Sequence, residues 1–271
     1  MRALLPAALT PVLLFFASAR AAAQNPDTLL PEESAKKAKA ILQPMIEALG
    51  GTAYLHVRET VCEGRLAQFD HNGQLSGYEK FKDFWRYPDK NRTEYYKKGA
   101  VTDLYTSEGG WTFDRGGVSE LPASAVVDFQ EQVKKDMDNL LRLRLNEAGL
   151  VFRYGGSDTV DLKQVDWVEI VDSDRRTFRI AVDRSSHLPI RCVVITRNDT
   201  TRERSEEATL YSIYHIVDGV QVPKQVARDR DGRRIYQAFY SECKLNPGIP
   251  DELFTRASLD RRFAESGKKK K

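Results

Sequence analysis

Tyr78-Glu79-Lys80-Phe81-Lys82-Asp83-Phe84-Trp85-Arg86-Tyr87-Pro88 is the stretch that decides the fold. Side chains on a strand alternate between faces, so Phe81, Trp85 and Tyr87 share one face while Lys80, Lys82, Phe84 and Arg86 share the other. The ring-rich run continues through Arg92, Glu94, Tyr95 and Tyr96 to Tyr105, Trp111 and Phe113. A sheet face built from rings, with no catalytic triad or metal-ligand motif beside it, favours an apolar binding surface over a reaction centre.

The flanking sequence extends the sheet in both directions. A strand over residues 57–69 is followed by Asp70-His71-Asn72-Gly73, whose Asn-Gly is a strong hairpin signal, and by a return strand over 75–87. Shorter strands follow over 92–97, 101–106 and 111–114. After the interruption described next, strands resume at 150 and continue to 245. Phe178, Ile180 and Val182 alternate there with Arg179 and Asp183, the pattern of a half-buried antiparallel strand. Asp229-Arg230-Asp231-Gly232 lacks the further ligands of a calcium loop and reads as a hairpin turn. No helical pattern separates these later strands, so the expectation is mainly β: one antiparallel meander of about 10–11 strands, long enough to curl.

Two segments break the strand pattern. From Glu32, apolar residues Ala35, Ala38, Ile41, Leu42, Met45, Ile46 and Leu49 recur at helical spacing until Gly50-Gly51 stops them, with Pro44 expected to kink or divide the helix. From residue 122 to 148, Val126, Phe129, Val133, Met137, Leu140, Leu141 and Leu145 trace a second stripe. An amphipathic helix inserted into a run of strands must bury its stripe, and the ring-rich face is its expected partner. A curled sheet under one such helix either packs solid or holds a ligand.

Arg2, an apolar run from Ala3 to Ala17 and small residues to Ala23 have the form of a secretory signal peptide, 1–23. The run is about half the ~20 residues of a spanning helix, and the first cysteine, Cys62, lies too far along for a lipid anchor. The expected product is free and exported, with a linker over 24–31, one domain over 32–258 and a basic disordered tail over 259–271. Cys62, Cys192 and Cys243 then enter an oxidising compartment. One disulfide and one free thiol are expected, with Cys62 and Cys243, in the first and last strands, the favoured pair.

Charged residues make up 30% of the chain but nearly balance to a net +3, so the basic footprint of a nucleic-acid binder is missing. His56, His71, His187 and His215 are scattered singly, no Gly-x-Ser-x-Gly or Cys-x-x-Cys occurs, and the paired glycines sit at strand ends. The sequence offers no catalytic residues, metal site or cofactor motif.

A series of short motifs resembles the periplasmic lipoprotein carrier superfamily, the LolA-like and LolB-like proteins. They are Ala48-Leu49-Gly50-Gly51 before a long strand, then Trp85-Arg86-Tyr87-Pro88-Asp89-Lys90-Asn91-Arg92 leading to Glu94-Tyr95, then Gly109-Gly110-Trp111. Val182-Asp183, Leu188-Pro189-Ile190-Arg191, Asp218-Gly219-Val220-Gln221-Val222-Pro223 and Ile249-Pro250-Asp251-Glu252-Leu253-Phe254 complete the order. The resemblance implies an incomplete β-barrel closed by an N-terminal helix and an inserted lid helix, with a cavity for acyl chains. It implies a periplasmic carrier of a lipid or an acylated protein, taken from and given to a membrane surface or an envelope protein, with no covalent chemistry. Stress-sensing relatives bind a protein partner instead, which is the alternative, and a hydrolase comes third.

On this reading Trp85, Tyr87, Trp111, Phe113, Trp167 and Phe178 are expected to wall the cavity. Val133, Met137, Leu140 and Leu141 are expected under the lid. In the carriers an arginine immediately before this Pro holds the lid. Here that position is Tyr87, with Arg86 one residue earlier and on the opposite face, so the lock does not carry over. Arg92 matches an arginine many relatives carry; the sequence assigns it no role, and a structural surface contact is the favoured reading.

Overall fold

The structure is a computed structural model and describes residues 26–70, 72–96, 101–198 and 200–268. The expected signal segment, 1–23, lies outside the described residues. Helix α1 (Pro31–Leu49) begins with Pro at a first-turn position and acids Glu32 and Glu33, which suit the positive end of the helix dipole, and ends at Gly50 with φ 128°. Of the two outcomes expected of Pro44, division does not occur: α1 runs through it from Pro31 to Leu49. The carbonyl that loses its partner belongs to Ala40, on the exposed side. A single turn, α2 (Thr52–Leu55), carries the buried Tyr54.

Strands β1 (Glu59–Phe69), β2 (Leu75–Arg86), β3 (Lys90–Tyr95), β4 (Val101–Tyr105), β5 (Gly110–Asp114) and β6 (Gly117–Glu120) form one meander. Strands β7 (Val151–Val160), β8 (Lys163–Val171), β9 (Thr177–Asp183), β10 (Pro189–Arg197), β11 (Arg204–Val217), β12 (Val220–Arg230) and β13 (Arg233–Leu245) form another. Antiparallel pairing of β1 with β13 joins them into one open sheet of 13 strands, with β6 and β7 at its edges. The count exceeds the expected ten or eleven, partly because β6, only 4 residues long, carries no readable alternation.

The two edge strands are consecutive along the chain, so the polypeptide must cross the sheet to pass from β6 to β7. It does so as α3 (Ala123–Lys135) and α4 (Met137–Asn139), the latter continued by a π-helical turn, Leu140–Arg144. The single helix expected over 122–148 is broken at Asp136, whose backbone is extended (φ −73°, ψ 129°) and whose side chain caps α4 by accepting from the Asn139 amide at 2.8 Å.

The face under α1 and α4, called here the inner face, holds the main core. Phe178, Ile180 and Val182 of β9 and Val168 and Ile170 of β8 pack there against Leu42, Met45 and Leu49 of α1 and Leu140 and Leu141. The outer face carries two separate clusters. One is Val165, Trp167, Ala181, Ile190 and Val193. The other joins Leu104 and Phe113 to Ile249, Phe254 and Leu259 of the C-terminal segment.

That segment corrects the expectation of a tail from 259. Helix α5 (Arg256–Lys268) follows a 3-10 turn at Asp251–Phe254, Leu259 is fully buried, and the Phe263 ring meets Phe113 edge-on at 6.4 Å. Its apolar spacing of four was available in the sequence but was outweighed by the charges around it. Arg92 is not a surface residue either. It is 3% exposed, pairs with Glu94, and donates to the Leu253 carbonyl at 3.1 Å and the Ser258 hydroxyl at 2.9 Å, pinning the C-terminal segment to β3. Arg86 does the same from β2 through Glu59, Asp251 and the Ile249 carbonyl.

Candidate functional site

Between the inner face and the α3–α4 strap lies a cavity of about 200 Å³. Its floor is Thr60 and Cys62 of β1 beside Cys243 and Leu245 of β13, its walls are Trp85 and Tyr87 on one side and Tyr211, Val222 and Val226 on the other, and Met137 closes it from above.

Cys62 and Cys243 are directly opposite in the β1–β13 register and form the disulfide, Cα to Cα 4.1 Å, while Cys192 is buried and free. A register shift between Glu63 and Gly64 leaves Ser241 unmatched on β13. That extra residue lets Tyr236, Tyr240 and Cys243, which are not all an even number apart, line the same cavity. Gly64 is required at the shift because a Cβ there would overlap the Phe239 carbonyl.

Helix α3 lies over this cavity with none of its side chains buried. Phe129 stacks on Trp85 at 5.8 Å and on Tyr105 at 4.7 Å. Val126 packs against Gly110 of β5, and polar ties add to this: Gln132 and Lys135 each donate to Glu207 of β11 at 2.8 Å, Arg228 of β12 donates to Gln132 at 2.8 Å, Arg176 reaches Glu131 at 3.5 Å, and Gln130 donates to the Ser107 carbonyl at 3.4 Å. The α4 end is anchored more deeply. Asn139, 2% exposed, donates to the carbonyls of Pro88 and Val133, Tyr54 donates to Asp138 at 2.7 Å, and the Arg142 guanidinium stands 4.5 Å over Tyr54 and 5.0 Å over Tyr87.

The electrostatics of the cavity are unusual for an apolar pocket. Burial pushes the Asp83 carboxyl above its ordinary value, against the lowering pull of hydrogen bonds from Thr93, Asn91 and Trp85. Asp136 is raised to about 6 by burial and by the Asp138 charge. Burial disfavours the Arg142 charge, yet the neighbouring Asp138 carboxylate holds the guanidinium firmly protonated. Tyr87, Tyr211 and Tyr240 are raised chiefly by burial and stay neutral.

Of the expected wall residues, the cavity brings together Trp85 and Tyr87. Phe178 is on the inner face but fully buried in the packed core beside α1. Trp111, Phe113 and Trp167 are on the outer face, the first two under the C-terminal segment and Trp167 beneath Arg179 at 4.9 Å. Alternation separates two faces of a strand but does not say which one curls inward, and here both faces are apolar. Of the expected lid residues, Met137 lines the cavity, Val133 is half-buried on α3, and Leu140 and Leu141 belong to the main core.

Tyr211, Tyr236, Tyr240, Arg142 and Arg228 were not singled out from the sequence. Tyr236 and Tyr240 are four apart in a strand, the same even spacing that marks Phe81 and Trp85, and that was the available signal. Among the described residues no group of three or more His, Cys, Asp or Glu side chains is placed to hold a metal ion, and no helix is long and apolar enough to cross a membrane.

No family model and no curated protein matches the sequence. Solved structures do match the fold. A DUF1329 family protein from Desulfovibrio piger superposes with a TM-score of 0.56 at 12% identity, over 82% of this chain and 98% of that one. A LolA superfamily protein from Nitrosomonas europaea gives 0.50 at 15% identity over 82% and 99%. A Vibrio parahaemolyticus domain named for outer membrane lipoprotein sorting gives 0.50 at 10% identity over 84% and 100%. With an open antiparallel sheet, an N-terminal helix on its inner face and a helical strap between its edges, the chain has the fold of the LolA superfamily and the lipoprotein-sorting domains.

Proposed function

We propose that this protein is an exported, periplasmic binding protein or carrier that holds a lipid, or the lipid-bearing part of a lipoprotein, between the inner face and α3, without covalent chemistry. The observation that carries the proposal is the contrast between the two ends of the strap: α4 is anchored in the core, whereas α3 covers the cavity with no buried side chain. Lifting α3 separates Phe129 from Trp85 and Tyr105 and Val126 from Gly110, and breaks its ties to Glu207, Arg228, Arg176 and the Ser107 carbonyl. Ring pairs contribute about 0.5–1.5 kcal/mol each beyond burial, and hydrogen bonds about as much. Burying an acyl chain returns about 0.8 kcal/mol per CH2, on the order of 10 kcal/mol for a dozen carbons, which is enough to drive the opening.

The Cys62–Cys243 disulfide fits an oxidising, extracytoplasmic compartment. The fold is shared with a domain named for lipoprotein sorting. A second reading, an envelope scaffold for a protein partner, is favoured by one feature: α1, Leu140 and Leu141 fill half of the inner face, leaving a cavity of only about 200 Å³. That is below the ~300–1,000 Å³ of ordinary ligand pockets.

Native mass spectrometry of the mature protein from its own compartment, followed by extraction of bound molecules, separates the two. A co-purifying acylated species supports the carrier. A clean apo mass with no uptake of added phospholipid or lipopeptide supports the scaffold.

A further inference from the structure

The carboxylates of the cavity wall are already engaged by the protein. Asp83 accepts from Asn91 and Thr93 through Oδ1 and from the Trp85 indole through Oδ2. Glu207 accepts from Lys135 and Gln132 through its two oxygens, Asp138 from Tyr54 and Arg142, and Asp136 from the Asn139 amide.

The cationic donors are not used in the same way. Arg142 pairs with Asp138 through Nη2 at 3.1 Å, but its Nε and Nη1 are buried and make no hydrogen bond, with the side chain only 6% exposed. The rings of Tyr54 and Tyr87 cover faces of the guanidinium, whereas its N–H groups point outward in the plane and need acceptors there. Arg228, which lines the same cavity, donates Nη1 to Gln132, stands 5.0 Å over the Tyr236 ring and forms no ion pair among the described residues. Among the side chains that line the cavity, the buried polar atoms left without a partner are thus the Nε and Nη1 of Arg142, and they are positively charged donors.

We infer that the cavity selects a single-chain amphiphile with an oxyanion head, carboxylate or phosphate, bound by Arg142 and Arg228 while its chain lies along Tyr211, Tyr236 and Tyr240. The inference rests on the binding function proposed above and names its ligand class. A planar guanidinium meets a carboxylate or phosphate through paired N–H bonds, and such charge-assisted bonds are stronger than neutral ones. A cavity of about 200 Å³ has room for a head group and part of one chain, not for the two chains of a diacyl lipid, unless α3 lifts.

The test is binding of dodecanoate, dodecyl phosphate, dodecanol and acetate to the mature protein, by calorimetry. At least one of the two anionic amphiphiles should bind tenfold or more tightly than dodecanol, and the tighter of the pair identifies the head. Acetate should not bind in the millimolar range. Arg228→Met, which keeps the aliphatic stem at a half-buried position, should cut the preference for the anionic probe over dodecanol by about tenfold. Arg142→Lys is the second variant and should lower it as well, because an ammonium lacks the planar fork. Dodecanol binding as tightly as both anions, or a preference unchanged in Arg228→Met, overturns the inference while leaving lipid binding intact. Acetate binding with the same dependence on Arg228 replaces the amphiphile with a small-anion site and overturns it too. Failure of all aliphatic probes to bind overturns the inference, and if phospholipid and lipopeptide fail to bind as well the proposed function falls with it.

Discussion

Asn139 of α4 donates from Nδ2 to the carbonyl oxygen of Pro88 at 3.2 Å, tying the inserted strap to the turn between β2 and β3. Arg142, one helical turn on, covers the ring of Tyr87 just before that proline. The strap and the turn are thus held together by groups that belong to the strap. The arginine of β2, Arg86, faces the other way and secures the C-terminal segment. Asn139→Ala should leave the Pro88 and Val133 carbonyls without this donor and cost about 1–3 kcal/mol. Hydrogen exchange should then accelerate across Ala123–Lys135 before the strands respond; uniform acceleration over the whole sheet would show that the strap has no independent motion.

Leu140 and Val133 report on different things although both lie on the strap. Leu140 is fully buried among α1 and β9 residues, so Leu140→Ala should cost about 2–5 kcal/mol. Val133→Ala, at a half-buried position on α3, should cost about 1 kcal/mol or less. Urea melts of the two variants check this, and equal losses would contradict the division into an anchored and a loose end. Replacing Leu140 is for the same reason a poor probe of ligand retention.

Asp136 gives stability a pH dependence whose sign follows from its raised carboxyl, about 6 against an ordinary 3.8. The native state binds this proton more tightly than the unfolded chain, so the contribution is fully present below the unfolded value and is lost as pH rises through the folded one. Asp136→Asn keeps a good N-cap and removes the buried charge that faces Asp138, Arg142 and Arg228. The variant should melt a few degrees above the parent at pH 7, on the scale of about 2–4 °C per kcal/mol, and the gap should close by pH 4. A gap that widens on acidification would mean the carboxylate is stabilised, not penalised, where it lies.

The Cys62–Cys243 bond joins strands 181 residues apart in sequence, at the seam between the two meanders. Chain-entropy arguments assign a closed loop of this size a stabilisation of up to about 5 kcal/mol. A Cys62→Ser, Cys243→Ser double variant should melt well below the parent. Cys192, buried and with its thiol pushed up by burial, should stay unreactive toward a thiol reagent until the protein unfolds.

The sheet was legible in the sequence because its signals are local. Asn72-Gly73 sets a turn, Phe178, Ile180 and Val182 set a face, and Leu42, Met45 and Leu49 set the stripe of α1. The site was legible only around Trp85 and Tyr87. Trp111 and Trp167 show why: they follow the same two-residue rhythm, but the outer face has apolar clusters of its own, one of them roofed by a C-terminal segment that the charges around Leu259 disguised as a tail. Arg142 and Arg228 were invisible for a different reason. They stand 86 residues apart in a chain of 42 lysines and arginines, and only the folded strap brings both to one cavity.

The three tryptophans provide the most direct test, since Trp85 lines the cavity while Trp111 and Trp167 lie on the opposite face. Single-tryptophan variants, with the other two replaced by phenylalanine, can be titrated with a fatty acid carrying a nitroxide quencher on its chain. The structure leads to strong, saturable quenching of Trp85 and little at Trp111 or Trp167. Quenching that favours either outer tryptophan, or none at Trp85 when the acid is bound, would contradict a ligand held under α3.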